Sequence, residues 1–242
     1  MISLLRKLRQ KLISKSKTSQ YLLYAIGEIF LVMLGILLAL AINNWNEDRK
    51  GHLDEIYVLN EVLKNLKEDN EIIVSIIKSR SKTGSSVEKL KTYINTVEKE
   101  DSLKYFLGDF LNFDRYYPIN HAYEVLKSKG LKLSNDHLIT RISRYYDYEQ
   151  NKVNSAVKDV EHSILRIFNT PTGLFRFIEE IEVGKFVTII DPMDQQFLAE
   201  LNIELVGFRN NNIGTLNKLI VFKQINEELI EAIELELQQL PK

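Results

Sequence analysis

Four histidines, His52, His121, His137 and His162, are the only imidazoles available for acid–base or metal chemistry. Their spacing forms no metal-ligand pattern, and none sits in an H-E-x-x-H helix, so no metal site is expected. His121 and Glu124 fall about one turn apart, a pairing common on helix surfaces. Cysteine is absent, which excludes thiolate nucleophiles, disulfides and cysteine-bound metal centres. Gly84-Ser85-Ser86 matches neither a P-loop nor a dinucleotide fingerprint, and no G-x-S-x-G elbow occurs. Adjacent carboxylates such as Glu179-Glu180 fit an ordinary charged helix face. No catalytic residue and no cofactor is therefore expected, and the chain reads as non-enzymatic.

Two constellations remain. The first is aromatic: Tyr116, Tyr117, Tyr123 and Tyr145 form a recognition groove if they line a surface, with Arg141 and Arg144 meeting an acidic ligand. The competing reading is that these large rings fill the core between helices. The second is Glu28, the single residue charged at neutral pH between Tyr21 and Ile42. On a helix it aligns with Gly35 and Ala39, a small-x-x-x-small pair that lets another helix approach closely. Glu28, Gly35 and Ala39 thus mark a transmembrane helix contact, with Glu28 as polar glue. An ion or proton pathway and a tolerated boundary residue are the alternatives.

The element that carries Glu28 is the apolar run YLLYAIGEIFLVMLGILLALAI, residues 21–42. About 22 residues at about 1.5 Å each give roughly 33 Å, enough to cross a bilayer core. Ala39-Leu40-Ala41 fits a signal-peptidase site, but the run is longer than the usual h-region and contains a carboxylate, so an uncleaved anchor is the expectation. Residues 1–20 contain Arg6, Lys7, Arg9, Lys11, Lys15 and Lys17 and no acid, whereas the whole chain has net charge −1. The remainder is therefore acidic, which argues against a nucleic-acid partner. Arg49 and Lys50 lie behind the run among acids. The positive-inside rule then places the N-terminus in the cytoplasm and the rest outside, with Trp45 at the outer interface.

Only four prolines and ten glycines occur, and Leu, Ile, Lys and Glu abound, a helical composition. Ile56, Leu59, Leu63, Leu66, Asn70, Ile73 and Ile77 alternate by three and four, the seam of a bundle or of an intermolecular coiled coil. Extending that register backwards reaches Glu28, so one helix can run from the anchor into the domain. Ser79–Ser86 reads as a turn. Helices are expected from Val87 to Lys99, in the aromatic stretch to about Phe113, from a cap at Asn120 through Lys129 with Gly130 closing it, from Ser134 to about Asn169, and from about Asn212 to Gln239. Asp191 is expected to cap a helix start, and Val183–Ile190 is the one β-like run.

The stretch YAIGEIFLVMLGILLALAINNWNE, and less closely HAYEVLKSKG at His121–Gly130, resembles an uncharacterised family of small single-pass membrane proteins from flavobacteria and related Bacteroidetes. That resemblance implies an uncleaved bacterial membrane protein and no particular activity. The expected organisation is a basic cytoplasmic tail (1–20), a transmembrane helix (21–42) and a helical domain (47–242). The fold class is all-α: one N-terminal transmembrane helix continuing into an extracytoplasmic helical bundle, in the bacterial inner membrane with the C-terminal domain periplasmic. The function expected is a non-enzymatic, membrane-anchored interaction or sensory-type module. Its partners are the lipid bilayer and either a second copy or another membrane protein, with the ligand unknown. Alternatives are a subunit of a small oligomeric channel or transport complex using Glu28, and a membrane-anchored enzyme with an aromatic-lined site.

Overall fold

The computed structural model describes residues 18–96, 102–130, 132–169 and 173–240. Residues 1–17 of the basic tail lie outside them. The protein is mostly helical. Its elements are α1 (Thr18–Asn95), α2 (Leu103–Leu111), α3 (His121–Ser128), α4 (Asp136–Arg144), a π-turn (Tyr145–Glu149), α5 (Gln150–Asn169), a 3₁₀ turn (Leu174–Phe177), β1 (Ile178–Glu182), β2 (Phe186–Ile189) and α6 (Gln195–Gln239). Contacts divide the chain into two units, Met1–Asp54 and Glu55–Lys242.

The first unit holds the apolar part of α1. Side chains from Ile26 to Trp45 are exposed, and this helix is long and apolar enough to cross a membrane by length and composition.

In the second unit α1 buries Leu59, Val62, Leu66, Ile73 and Ile76 in a core shared with α3, α4, α5 and α6. The three-four stripe on α1 is thus used within the chain. A second core gathers Val87, Leu90, Leu107, Phe110, Ile164, Val187 and Phe208. The expected turn at Ser79–Ser86 is instead continuous helix, because its small polar residues pack inward. Arg80, Thr83 and Ser86 are buried, and Gly84 lies where a Cβ would meet Asn212 Nδ2 at 3.1 Å. Tertiary contact overrides a local turn propensity there. Thr83 returns its hydroxyl to the Ser79 carbonyl, satisfying it inside the helix.

The all-α expectation is modified by an antiparallel hairpin, with Glu182 opposite Phe186 and Ile178 opposite Ile189. Gly184, at φ +79°, makes its three-residue turn and donates its N–H to the Gly108 carbonyl. The long helix before it starts at Asp136, where Asn135 accepts from the Leu138 N–H at 3.1 Å. The final helix begins well before Asn212. Asp194, and not Asp191, caps it by accepting from the Phe197 N–H at 2.8 Å.

Candidate functional site: a buried carboxylate ringed by phenols

The π-turn explains how two tyrosines and two polar residues come to face the core together. In an α-helix the buried positions after Ile142 would advance by three or four. One extra residue in the turn turns inward two adjacent pairs, Tyr145–Tyr146 and Glu149–Gln150, each almost fully buried. The Gln150 N–H accordingly reaches back five residues to the Tyr145 carbonyl.

Across from this turn stands Asp69 of α1, 1% exposed. The Tyr116 hydroxyl reaches its two carboxyl oxygens at 2.7 and 2.8 Å, and Tyr145 donates a short bond to Oδ2. Gln150 Nε2 lies 3.4 Å from Oδ2. Asn226 of α6 donates to the Tyr145 hydroxyl at 2.8 Å and to the Leu66 carbonyl at 3.1 Å. Burial raises the Asp69 carboxyl above the usual carboxylate range, against the lowering effect of these donors. Burial, followed by the nearby carboxyl, pushes Tyr116, Tyr145 and Tyr146 well above the ordinary phenol range. The phenols therefore stay neutral, and Tyr116 and Tyr145 act as donors to the carboxyl.

Rings complete the cluster. Tyr145 stacks on Phe222 with centroids 4.9 Å apart and meets Tyr146 edge-on; Tyr146 stacks on Tyr123 at 4.7 Å. Satisfaction is incomplete. Among the described residues, the Tyr146 hydroxyl, both amide atoms of Asn65 and Oδ1 of Asn226 are buried without a hydrogen-bond partner.

The groove residues separate. Tyr116, Tyr123 and Tyr145 are core side chains, whereas Tyr117 is 69% exposed. The Tyr123 hydroxyl donates to Asp147 at 2.6 Å. Arg141 donates to the Glu228 carbonyl at 2.8 Å, tying α4 to α6, and Arg144 pairs with Glu149 within the π-turn. Glu28, Gly35 and Ala39 lie exposed on α1, and a Cβ on Gly35 would meet nothing within 4 Å. All four histidines are exposed, and among the described residues no three His, Asp or Glu side chains gather to hold a metal ion.

The seam read from the sequence passes through Asn70, yet Asp69 falls three residues after Leu66 and four before Ile73, inside the apolar stripe.

The chemistry open to this cluster is proton holding and hydrogen-bond registry, since a carboxyl 1% exposed is shielded from bulk solvent. A surface hollow of about 110 Å³, lined by Tyr57, Val58, Glu61, His121, Ala122 and Val125, lies elsewhere. It is smaller than the ~300 Å³ at which small-molecule pockets begin. Its polar lining is one imidazole, one carboxylate and one phenol.

No curated protein and no solved structure matches the chain. A family of unknown function, DUF6090, matches residues 28–194, and the chain belongs to that family.

Proposed function

We propose that the protein is a membrane-anchored, non-enzymatic interaction module of the bacterial inner membrane, single-pass, with a cytoplasmic N-terminus and a periplasmic helical domain. The observation that supports this reading is the run of exposed side chains on α1 from Ile26 to Ile42, apolar but for Glu28. Such a face is costly in water and favourable in hydrocarbon. Within it, Glu28 is a carboxylate that lipid does not satisfy, and Gly35 with Ala39 leaves a flat strip one turn long. A second helix, from another copy or from a membrane partner, meets both needs. The anchor then holds the domain at the membrane while Glu28, Gly35 and Ala39 select the neighbour.

Glu28→Gln and Glu28→Leu test it in the full chain. Glu28→Gln, which keeps a hydrogen-bonding group, retains the oligomers trapped by crosslinking in membranes, and Glu28→Leu loses them. If neither substitution changes assembly or ion flux, Glu28 is passive and the contact is refuted. Altered flux with unaltered assembly would instead favour a channel subunit.

A further inference from the structure

The outward face of α6 carries a second seam that the bundle leaves uncovered. Ile203, Val206, Asn210, Ile213, Asn217 and Ile220 follow one another by three, four, three, four and three residues. That is a heptad pattern, with Ile203, Asn210 and Asn217 at one core position and Val206, Ile213 and Ile220 at the other. All six are exposed, Ile203 at 67% and Ile220 at 54%. On the opposite side the same helix buries Leu205, Phe208, Leu219 and Phe222. A helix apolar on two faces belongs between two partners, and among the described residues only one is present.

We infer that this face is a contact between two copies of the chain, packed as parallel, in-register helices. The occupant follows from the polar residues in the seam. In register and parallel, each residue meets its own counterpart: Asn210 meets Asn210, Asn217 meets Asn217, and each Ile or Val meets Ile or Val. Paired amides bond to each other, and such pairs fix register and a two-stranded state. An antiparallel pair centred on the same stretch sets Val206 against Asn217 and Asn210 against Ile213, leaving both amides facing apolar groups. None of the six carries charge, so nothing in the seam repels a second copy or calls for a charged partner.

The strip is roughly 27 Å long and about 10 Å wide, small beside the ~800 Å² that a standard interface takes from each partner. The contact is therefore weak in dilute solution. It forms where copies are held together, an effect of local concentration that rests on the anchored reading above.

The absence of cysteine makes the test direct. Ile213→Cys and Asn217→Cys are introduced singly into the full chain and oxidised with copper–phenanthroline in membrane vesicles. Ser155→Cys, exposed on α5, is the control. The expected result is a disulfide-linked dimer from each seam variant, several-fold above the control. Adding Ile213→Lys to Asn217→Cys returns the yield to the control level. Equal yields in all three single variants overturn the proposal, as do adducts only with a foreign protein. Preferential linkage of Val206→Cys to Asn217→Cys overturns the parallel register. If alkaline carbonate releases the chain, the anchored reading fails on its own. Oxidation of the released protein at raised concentration then decides the seam, with dimers supporting it and control-level yields refuting it.

Discussion

Tyr145 and Tyr146 are neighbours in one turn, both buried, yet removal of the same oxygen from each is expected to change stability in opposite directions. Tyr145→Phe deletes a donor to Asp69 and an acceptor for Asn226, while the ring keeps its stack on Phe222. Hydrogen bonds to a charged or ionisable group contribute about 1.5–3 kcal/mol, and neutral ones about 1 kcal/mol. Asn226 retains the Leu66 carbonyl, so its amide is not wholly stranded. The expected loss is about 2–4 kcal/mol. Tyr146→Phe deletes a buried hydroxyl that has no hydrogen-bond partner among the described residues. Its stack on Tyr123 is preserved, and a desolvation cost of about 1–3 kcal/mol disappears, so the variant is neutral or up to about 2 kcal/mol more stable. Urea unfolding of the full chain in mild detergent, followed by far-ultraviolet circular dichroism, reads both. With a slope near 2 kcal/mol/M, the two midpoints separate by roughly 1–3 M. Equal destabilisation by both variants would falsify the hydrogen-bond assignment and leave tyrosine packing as the only term.

Asp69→Asn gives a pH test. The folded carboxyl titrates above its ordinary value of 3.8, so its favourable contribution is complete below about pH 4 and fades as pH rises through the raised value. Relative to Asp69→Asn, the parent chain should lose stability as pH rises from about 4 through that raised value, and a pH-independent difference would refute the raised titration. Gly108→Ala places a Cβ 2.6 Å from the Lys185 carbonyl carbon and 2.7 Å from the Phe186 nitrogen, both backbone atoms. Separation of α2 from the hairpin should cost about 1–3 kcal/mol. Gly214→Ala, mid-helix and open to solvent, should instead stabilise by about 0.5–1 kcal/mol. Thermal melts of the two variants should move in opposite directions, and a shared direction would remove the steric explanation.

Helices were legible in the sequence because their signal is local. The stripe from Ile56 to Ile77 fixes α1 as helical, and within the helix expected from Ser134 to about Asn169 the buried Leu138, Ile142, Tyr145, Tyr146, Val153, Val157 and Ile164 recur at helical spacing. What local pattern could not supply was the centre of the buried face. Leu59, Val62, Leu66, Asp69, Ile73 and Ile76 define it, while Ile56, Leu63, Asn70 and Ile77 sit half-buried at its margin. Asn70 is the better core candidate by residue type. Asp69 is tolerated only because Tyr116 and Tyr145, distant in sequence, bring hydroxyls to it. The same reasoning covers Ser79–Ser86. A stretch rich in serine and glycine signals a turn until Asn212 donates to the Arg80 carbonyl and Ser86 donates to Asp109. The final helix, from about Asn212 to Gln239, is legible in the sequence, but an outer stripe becomes visible as a seam only when the structure shows which face is covered.

Polar residues at core positions do similar work on both faces of α6. Inward, Asn226 bridges Tyr145 to the Leu66 carbonyl, joining α6, the π-turn and α1 at one level. Leu59, Leu66 and Ile73 repeat at seven residues, so an apolar stripe alone permits α1 to slip by a heptad with similar burial. Asp69 removes that freedom, because a slip of even one turn, about 5.4 Å, strands its carboxyl and three donors from four segments. Outward, Asn210 and Asn217 stand at the equivalent positions of the uncovered seam and impose the same restriction on whatever packs there. An apolar partner strands both amides, whereas an identical helix in register pairs them. Specificity of the fold and specificity of the contact then follow from one physical cost, that of burying an amide or a carboxyl without its partner.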